Sequence, residues 1–168
     1  MKVLIVVDMQ NDFINGSLGS KEAQNIVPNV INKIKEYENE LIYFTKDTHF
    51  DDYLNTPEGK KLPVKHCIKG TNGWDIPNEI LNNHKNIIEK YTFGSVELFE
   101  KLKEIENIES IELIGLCTDI CVVSNVLLAK AYFPNTQIIV DSTCCVGVTP
   151  QSHQKALDTM KMCQIDIK

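Results

Sequence analysis

Short runs of branched apolar residues alternate along this chain with longer stretches of helical periodicity, and that alternation restricts it to a small group of folds. KVLIVVD (2–8), ELIYFTKD (40–47), NIIEKY (86–91), SIELIGLC (110–117) and TQIIVDS (136–142) read as strands. Each is a near-continuous apolar run, the pattern of a strand covered on both faces. Residues 25–37, 95–105, 119–133 and 150–162 carry helical spacing between or after them. The last opens TPQSHQ, with Thr149 as N-cap and Pro150 at the first helical position. The ending QIDIK reads as a short sixth strand at a sheet edge. The expected fold is therefore α/β: one domain over 1–168, doubly wound, with a mostly parallel sheet of about five to six strands and helices on both faces. No repeat, low-complexity tract or linker interrupts it. Residues 48–77 form one long irregular insertion, and insertions of that size tend to be functional or disordered.

Composition excludes several classes of function. A chain of 168 residues with 43% hydrophobic and 24% charged residues has the make-up of a soluble globular protein. The net charge of −6 argues against a nucleic-acid partner, and the lysines are scattered among glutamates as on a solvated face. No apolar run is long enough to span a bilayer, so no membrane association is expected. MKVLIVVDMQNDF has no small-residue cleavage site, and a cytoplasmic location is the expectation. The six cysteines (67, 117, 121, 144, 145 and 163) would then stay reduced, and no CxxC pair supports a zinc ribbon or a thioredoxin-type motif. Most of them read as small buried hydrophobes.

The ionisable residues fall at telling places. Asp8 ends the first apolar run, Asp47 the second and Lys90 the third, while Cys117 and Cys121 follow the fourth. In an open parallel sheet the carboxyl ends of the strands share one edge, and ligands bind in the crevice outside it. One Asp after a strand is commonly only a turn or capping residue. Three strand ends in a row, followed by a thiol, point to convergence. Cys121 would sit in the first turn of a helix capped by Thr118 or Asp119, where N–H groups and the helix dipole lower a thiol pKa. The same N–H groups can receive a developing oxyanion. A nucleophilic thiol also needs a base and a neighbouring cation, and Asp8 and Lys90 are available. The bland alternative is a buried core cysteine; a metal pair of Cys117 and Cys121 lacks further ligands nearby.

VVDMQNDF, a lysine closing the third strand and GLCTDICV together resemble the isochorismatase-like cysteine hydrolases, and within that superfamily most of all the nicotinamidases, or pyrazinamidases. The resemblance extends over nearly the whole chain. It implies a catalytic triad of Asp8, Lys90 and Cys121, a cis peptide at Leu116–Cys117, and oxyanion-hole amides at Cys117 and Cys121. Cys117 would then lend its backbone and not its sulfur. It also implies a divalent metal ion (zinc, iron or manganese) held by Asp47 and His49 of KDTHFDDY and His66 of VKHCIKG. From spacing alone such a D-x-H is a weak signal, although a carboxylate with two imidazoles suits such an ion. His84 and His153 match nothing and read as surface residues. Phe13 would cover one face of the substrate. Thr48 and Pro63 stand where the family often has aromatics, leaving Trp74 or Tyr53 as candidates for the other wall. The activity implied is hydrolysis of a small carboxamide, nicotinamide first, through a thioester, with a place in NAD salvage. A carbamoyl or ureido amidase and a non-catalytic α/β binding module are the alternatives. A small-molecule amide is the implied partner, and association of like subunits is common in the family.

Overall fold

The computed structural model describes residues 1–37 and 40–168. The apolar runs become strands β1 (Lys2–Val7), β2 (Leu41–Asp47), β3 (Ile87–Lys90), β4 (Ser110–Leu116), β5 (Gln137–Val146) and β6 (Asp166–Ile167). They form one sheet in the order β3-β2-β1-β4-β5-β6, with every neighbouring pair parallel. The helices are α1 (Asn11–Ile14), α2 (Lys21–Glu36), α3 (Pro57–Lys61), α4 (Asn78–Leu81), α5 (Val96–Leu102), α6 (Val123–Tyr132) and α7 (Pro150–Met162). They cover both faces of the sheet: α2 packs on β4 and β5, while α5, α6 and α7 form a contiguous layer against β3, β5 and β6. Val3 to Val7 are fully buried and β4 is buried along its whole length, which explains why these strands read as continuous apolar runs.

The chain runs outward from β1 through β2 to β3, then returns to the other side of β1 and runs outward through β4, β5 and β6. The order reverses between β1 and β4, which is where a parallel sheet opens a crevice at its carboxyl edge. Val7 pairs with Gly115 at that edge, so the residues that follow the two strands emerge side by side. Gly115 adopts φ +118°, and a Cβ there would collide with the Val7 carbonyl oxygen, so this crossing requires glycine.

Several boundaries differ from the expected ones for identifiable reasons. Helix α2 begins a turn before residue 25, because Ser20 Oγ accepts from Ala23 N and caps it there. Strand β5 continues past residue 142 to Val146 after a register shift opposite Leu113–Gly115. The stretch after β4 does not start as an α-helix: Thr118–Val122 form a π-helical turn that leads into α6. At α7 the expected cap is present, as Thr149 Oγ1 accepts from Ser152 N and Thr149 N donates to Ser152 Oγ. The insertion contains α3 and two 3₁₀ turns, Tyr53–Asn55 and Asn72–Trp74, and a parallel bridge between His49 and Ile68 closes it on itself.

Candidate active site and metal cluster

Lys90, at the end of β3, is the centre of the carboxyl edge. Its Nζ lies 2.7 Å from Asp8 Oδ2, 3.1 Å from Asp47 Oδ1 and 3.5 Å from Cys121 Sγ. Its Nζ also donates to Thr92 O at 3.2 Å. Asp8, Asp47 and Lys90 are all buried, and Cys121 is 5% exposed. Asp8 takes a left-handed backbone (φ 48°), a region that Asp tolerates better than most residues. Thr45 Oγ1 donates to its Oδ1 at 2.6 Å, whereas Oδ2 has no aligned hydrogen-bond donor among the described residues beyond the Lys90 ion pair.

Burial pushes the Asp8 carboxyl above its ordinary value more strongly than the Lys90 charge lowers it. Burial also pushes the Cys121 thiol well above its ordinary value, despite the opposing charge of Lys90. This corrects the expectation of a thiol acidified by a helix N-terminus. The turn at Cys121 is π-helical, no side chain caps it, and desolvation dominates. Burial and the neighbouring Asp119 push the Cys117 thiol up as well, to about 12. What separates the two sulfurs is Lys90, whose Nζ reaches Cys121 Sγ. The Leu116–Cys117 peptide is cis. Neither Thr118 nor Asp119 caps the turn: Asp119 accepts from Val148 N at 3.1 and 3.2 Å, and Thr118 Oγ1 meets His153 Nδ1 at 2.8 Å.

Beside this group the insertion brings Asp47, His49, Glu58 and His66 together, with one potential ligand atom from each lying within 4.8 Å of all the others. Asp47 Oδ2 is 2.9 Å from His49 Nε2 and 3.7 Å from His66 Nε2, and Glu58 Oε1 is 3.7 and 3.8 Å from the same two nitrogens. His66 Nδ1 donates to Val64 O at 2.8 Å, which turns Nε2 toward the cluster. Burial pushes Asp47 upward, but the contacts from His49 and His66 and the charge of Lys90 outweigh it and hold the carboxyl well below its ordinary range. Two carboxylates and two imidazoles converging on one point suit a divalent ion. Glu58 gave no warning in the sequence, because an acid in the first turn of a short helix is commonplace.

The DMQNDF segment supports both groups at once. The Gln10 side chain accepts from Asp47 N at 2.7 Å and donates to Asp47 O at 2.9 Å and Trp74 O at 2.8 Å. Asp12 Oδ2 accepts from Cys67 N at 2.8 Å, beside His66, and the Phe13 ring lies 5.5 Å from the His66 ring. Buried Asn125 on α6 accepts from Ser95 N and donates to Phe93 O and Cys121 O at 2.8–3.1 Å. Gln10, Asp12 and Asn125 act through these contacts, which residue spacing does not reveal.

A cleft of about 760 Å³ opens over the site, lined among others by Phe13, Asp47, Glu58, His66, Cys117 and Cys121. Tyr91 and Phe93 line it too, and neither expected second wall does. Tyr53 is buried behind the cluster with its ring against His49 and His66. Trp74 lies under Lys46, whose Nζ is 3.0 Å from the ring centroid, and its Nε1 donates to Thr48 Oγ1. His84 and His153 are only half-exposed; His84 packs on Phe44.

A parallel doubly wound sheet here brings a cysteine, a carboxylate and a lysine together at its carboxyl edge, beside a cluster suited to a metal, an arrangement that can support hydrolysis by a thiol nucleophile. The chain belongs to the isochorismatase family, whose isochorismatase domain model matches residues 2–167. It is 26% identical over 204 residues to the nicotinamidase of Schizosaccharomyces pombe, covering 98% of this chain and 91% of that one. Among solved structures, the nicotinamidase of Bacillus subtilis superposes with a TM-score of 0.84 at 30% identity, covering 98% of this chain and 97% of that one. The pyrazinamidase of Pyrococcus horikoshii, in complex with zinc, gives a TM-score of 0.84 at 27% identity over 99% and 98%. Among the described residues no helix is long and apolar enough to cross a membrane.

Proposed function

We propose that the protein is a cysteine amidohydrolase that converts nicotinamide to nicotinate and ammonia through a thioester on Cys121, assisted by a divalent metal. The observation that carries this reading is the position of Lys90 Nζ, in contact with Asp8, Asp47 and Cys121 at once. Asp8 is the base. Its raised pKa makes it a better proton acceptor, and Oδ2 has no other aligned donor. As the Cys121 proton passes to Asp8, the sulfur attacks the amide carbonyl and the π pair moves to oxygen, held by the N–H groups of Cys117 and Cys121. Collapse expels the amine, which takes its proton from Asp8 and leaves as ammonia; water then hydrolyses the thioester. Lys90 offsets the negative charge that Asp8 and the sulfur share during transfer.

Asp47, His49, Glu58 and His66 would hold the metal, which when bound supplies a Lewis acid for a ring nitrogen. Phe13 flanks that position and would cover one ring face. The relatives named nicotinamidase and pyrazinamidase support the substrate class. The test is ammonia release from nicotinamide and from benzamide, which has the same shape without the ring nitrogen. Nicotinamide should be preferred, and chelation should shrink the preference. Equal rates with and without metal would refute ring-nitrogen recognition. The likeness to the N-carbamoylsarcosine amidase of Thermoplasma acidophilum, 25% identical with a TM-score of 0.78 over 99% of this chain and 95% of that one, favours one second reading, an amidase for carbamoyl or ureido compounds. Turnover of such a compound but not of nicotinamide would decide for it.

A further inference from the structure

The turn that carries Cys121 is held in different ways at its two ends. At the far end, Asn125 Nδ2 donates to Cys121 O at 2.8 Å and Ser124 Oγ donates to Ile120 O at 2.6 Å. Both donors belong to α6, which continues directly from the turn. At the near end the ties come from a distant part of the chain. Thr118 is completely buried, and its Oγ1 lies 2.8 Å from His153 Nδ1 on α7. Next to it, the Asp119 carboxylate accepts from Val148 N, in the loop between β5 and α7. Gly147 lets that loop pack closely on α7, since a Cβ there would stand 2.8 Å from His153 Cβ.

Within the turn the entry is held on its carbonyl side. Ile120 N and Val122 N both donate to the single carbonyl of Cys117, and Val123 N donates to Thr118 O. Thr118 follows Cys117 directly, and the Cys117 N–H lies in the preceding Leu116–Cys117 peptide, so a shift of Thr118 reaches it through the two backbone dihedrals of Cys117. Cys121 would stay in place, because Asn125 holds it separately.

We infer that His153 is a positioning residue for the reaction: through Thr118 it sets the Cys117 amide of the oxyanion hole, independently of the nucleophile. The inference rests on the amidase reading above. It makes a separable prediction, because steps that need the oxyanion hole should suffer while the bare reactivity of the thiol should not. Burial keeps His153 below its ordinary pKa, so near neutral pH the ring is uncharged and one nitrogen can accept while the other donates.

The test compares the full-length wild type with His153→Ala and His153→Asn, the second of which places an amide atom near the position of Nδ1. Three quantities are measured. The first is kcat and KM for nicotinamide. The second is the affinity for pyridine-3-carbaldehyde: the sulfur adds to its carbonyl carbon, the π pair moves to oxygen, and the thiol proton ends on that oxygen, so nothing leaves. The third is the rate of Cys121 alkylation by iodoacetamide, a displacement of iodide that needs no oxyanion hole. For His153→Ala, kcat and aldehyde affinity should both fall about 10- to 100-fold, as for a displaced oxyanion donor, with KM and alkylation within about threefold. His153→Asn should recover most of the loss. An alkylation rate that falls as far as the aldehyde affinity would overturn the inference, as would an unchanged kcat. Wild type that binds the aldehyde but releases no ammonia from nicotinamide would refute the substrate reading alone, and the aldehyde and alkylation data would still judge His153. Failure of wild type to bind the aldehyde would overturn the inference itself.

Discussion

Among the described residues, two buried clusters of charge each hold a carboxylate, Asp8 in one and Asp141 in the other, and these two carboxyls are tuned in opposite directions. At the carboxyl edge of the sheet, Asp8, Asp47 and Lys90 surround a thiol and open on the cleft. Under α2, Lys33 Nζ lies 3.1 Å from Asp141 Oδ2 and 3.5 Å from Glu112 Oε1, and Tyr37 donates to the other Glu112 oxygen. No residue of this second cluster lines the cleft. Asp141 also accepts from Thr143 N at 3.0 Å and Thr143 Oγ1 at 2.6 Å. Burial pushes Asp141 up, yet these bonds and Lys33 hold it below its ordinary value. At Asp8 burial wins and the carboxyl is raised. One carboxylate is satisfied in its charged form and supports the fold. The other is kept uncomfortable as a charge, which makes it ready to take a proton. Perturbed ionisation therefore marks a reactive site only where a nucleophile and an open cavity share it.

The most severe way to break the contrast is Cys121→Ala. Losing a covalent nucleophile should reduce amide turnover by roughly 10⁶-fold, with an unchanged circular dichroism spectrum. Cys117→Ala should keep much of the rate, since Lys90 reaches the Cys121 sulfur and the role proposed for Cys117 is that of its backbone N–H. A dead Cys117 variant beside an active Cys121 variant would reverse the assignment.

Asp8→Asn should slow acylation by about 10²–10⁴-fold. The Asp8 carboxyl itself should contribute no stability at pH 7, so any loss in the variant there would come through the buried Lys90 that it neutralises. A carboxyl raised in the fold contributes stability only when protonated, below its unfolded value of 3.8, and loses that contribution as pH rises through the raised folded value. Denaturant midpoints of both proteins at pH 7 check this, and a large drop for the variant would show that Asp8 is structural through Lys90.

Metal removal should have a smaller effect on thiol chemistry than on substrate choice. Chelation should lower nicotinamide turnover and added zinc, iron or manganese restore it, while Cys121 alkylation changes little. Glu58→Gln should weaken metal retention, measured by competition with a chromophoric chelator, if Glu58 belongs to the ligand cluster.

The smallest effect belongs to the sealed cluster. Asp141→Asn should leave kcat unchanged and cost about 1 kcal/mol of stability at pH 7, in the range of a hydrogen bond's net contribution. Because the Asp141 pKa is lowered in the fold, its contribution is present above 3.8 and is lost as pH falls through the folded value. The two proteins should thus differ at pH 7 and converge in strong acid. A difference that persists in acid would show that shape and not charge is what matters there.

The strands, their parallel arrangement and the strand-end groups Asp8, Asp47, Lys90 and Cys121 were legible in the sequence alone. A fully buried strand must be apolar residue after residue, and parallel topology then sends every strand end to one edge. The resemblance to a known family added His49 and His66 as candidate metal ligands, where D-x-H spacing was ambiguous. Tertiary structure alone decided the rest. It turned Trp74 away from the cleft onto Lys46, brought Glu58 from α3 to the cluster, and used Gln10 and Asp12 to hold Asp47 and the loop beside His66. It joined the Asp8 and Cys121 group to the acid–imidazole cluster through one lysine, and it reversed the expected shift of the Cys121 thiol. The physical reason is the range of each effect. Periodicity and strand ends are set by neighbours along the chain, whereas desolvation and hydrogen-bond partnership depend on what other segments deliver within a few ångströms.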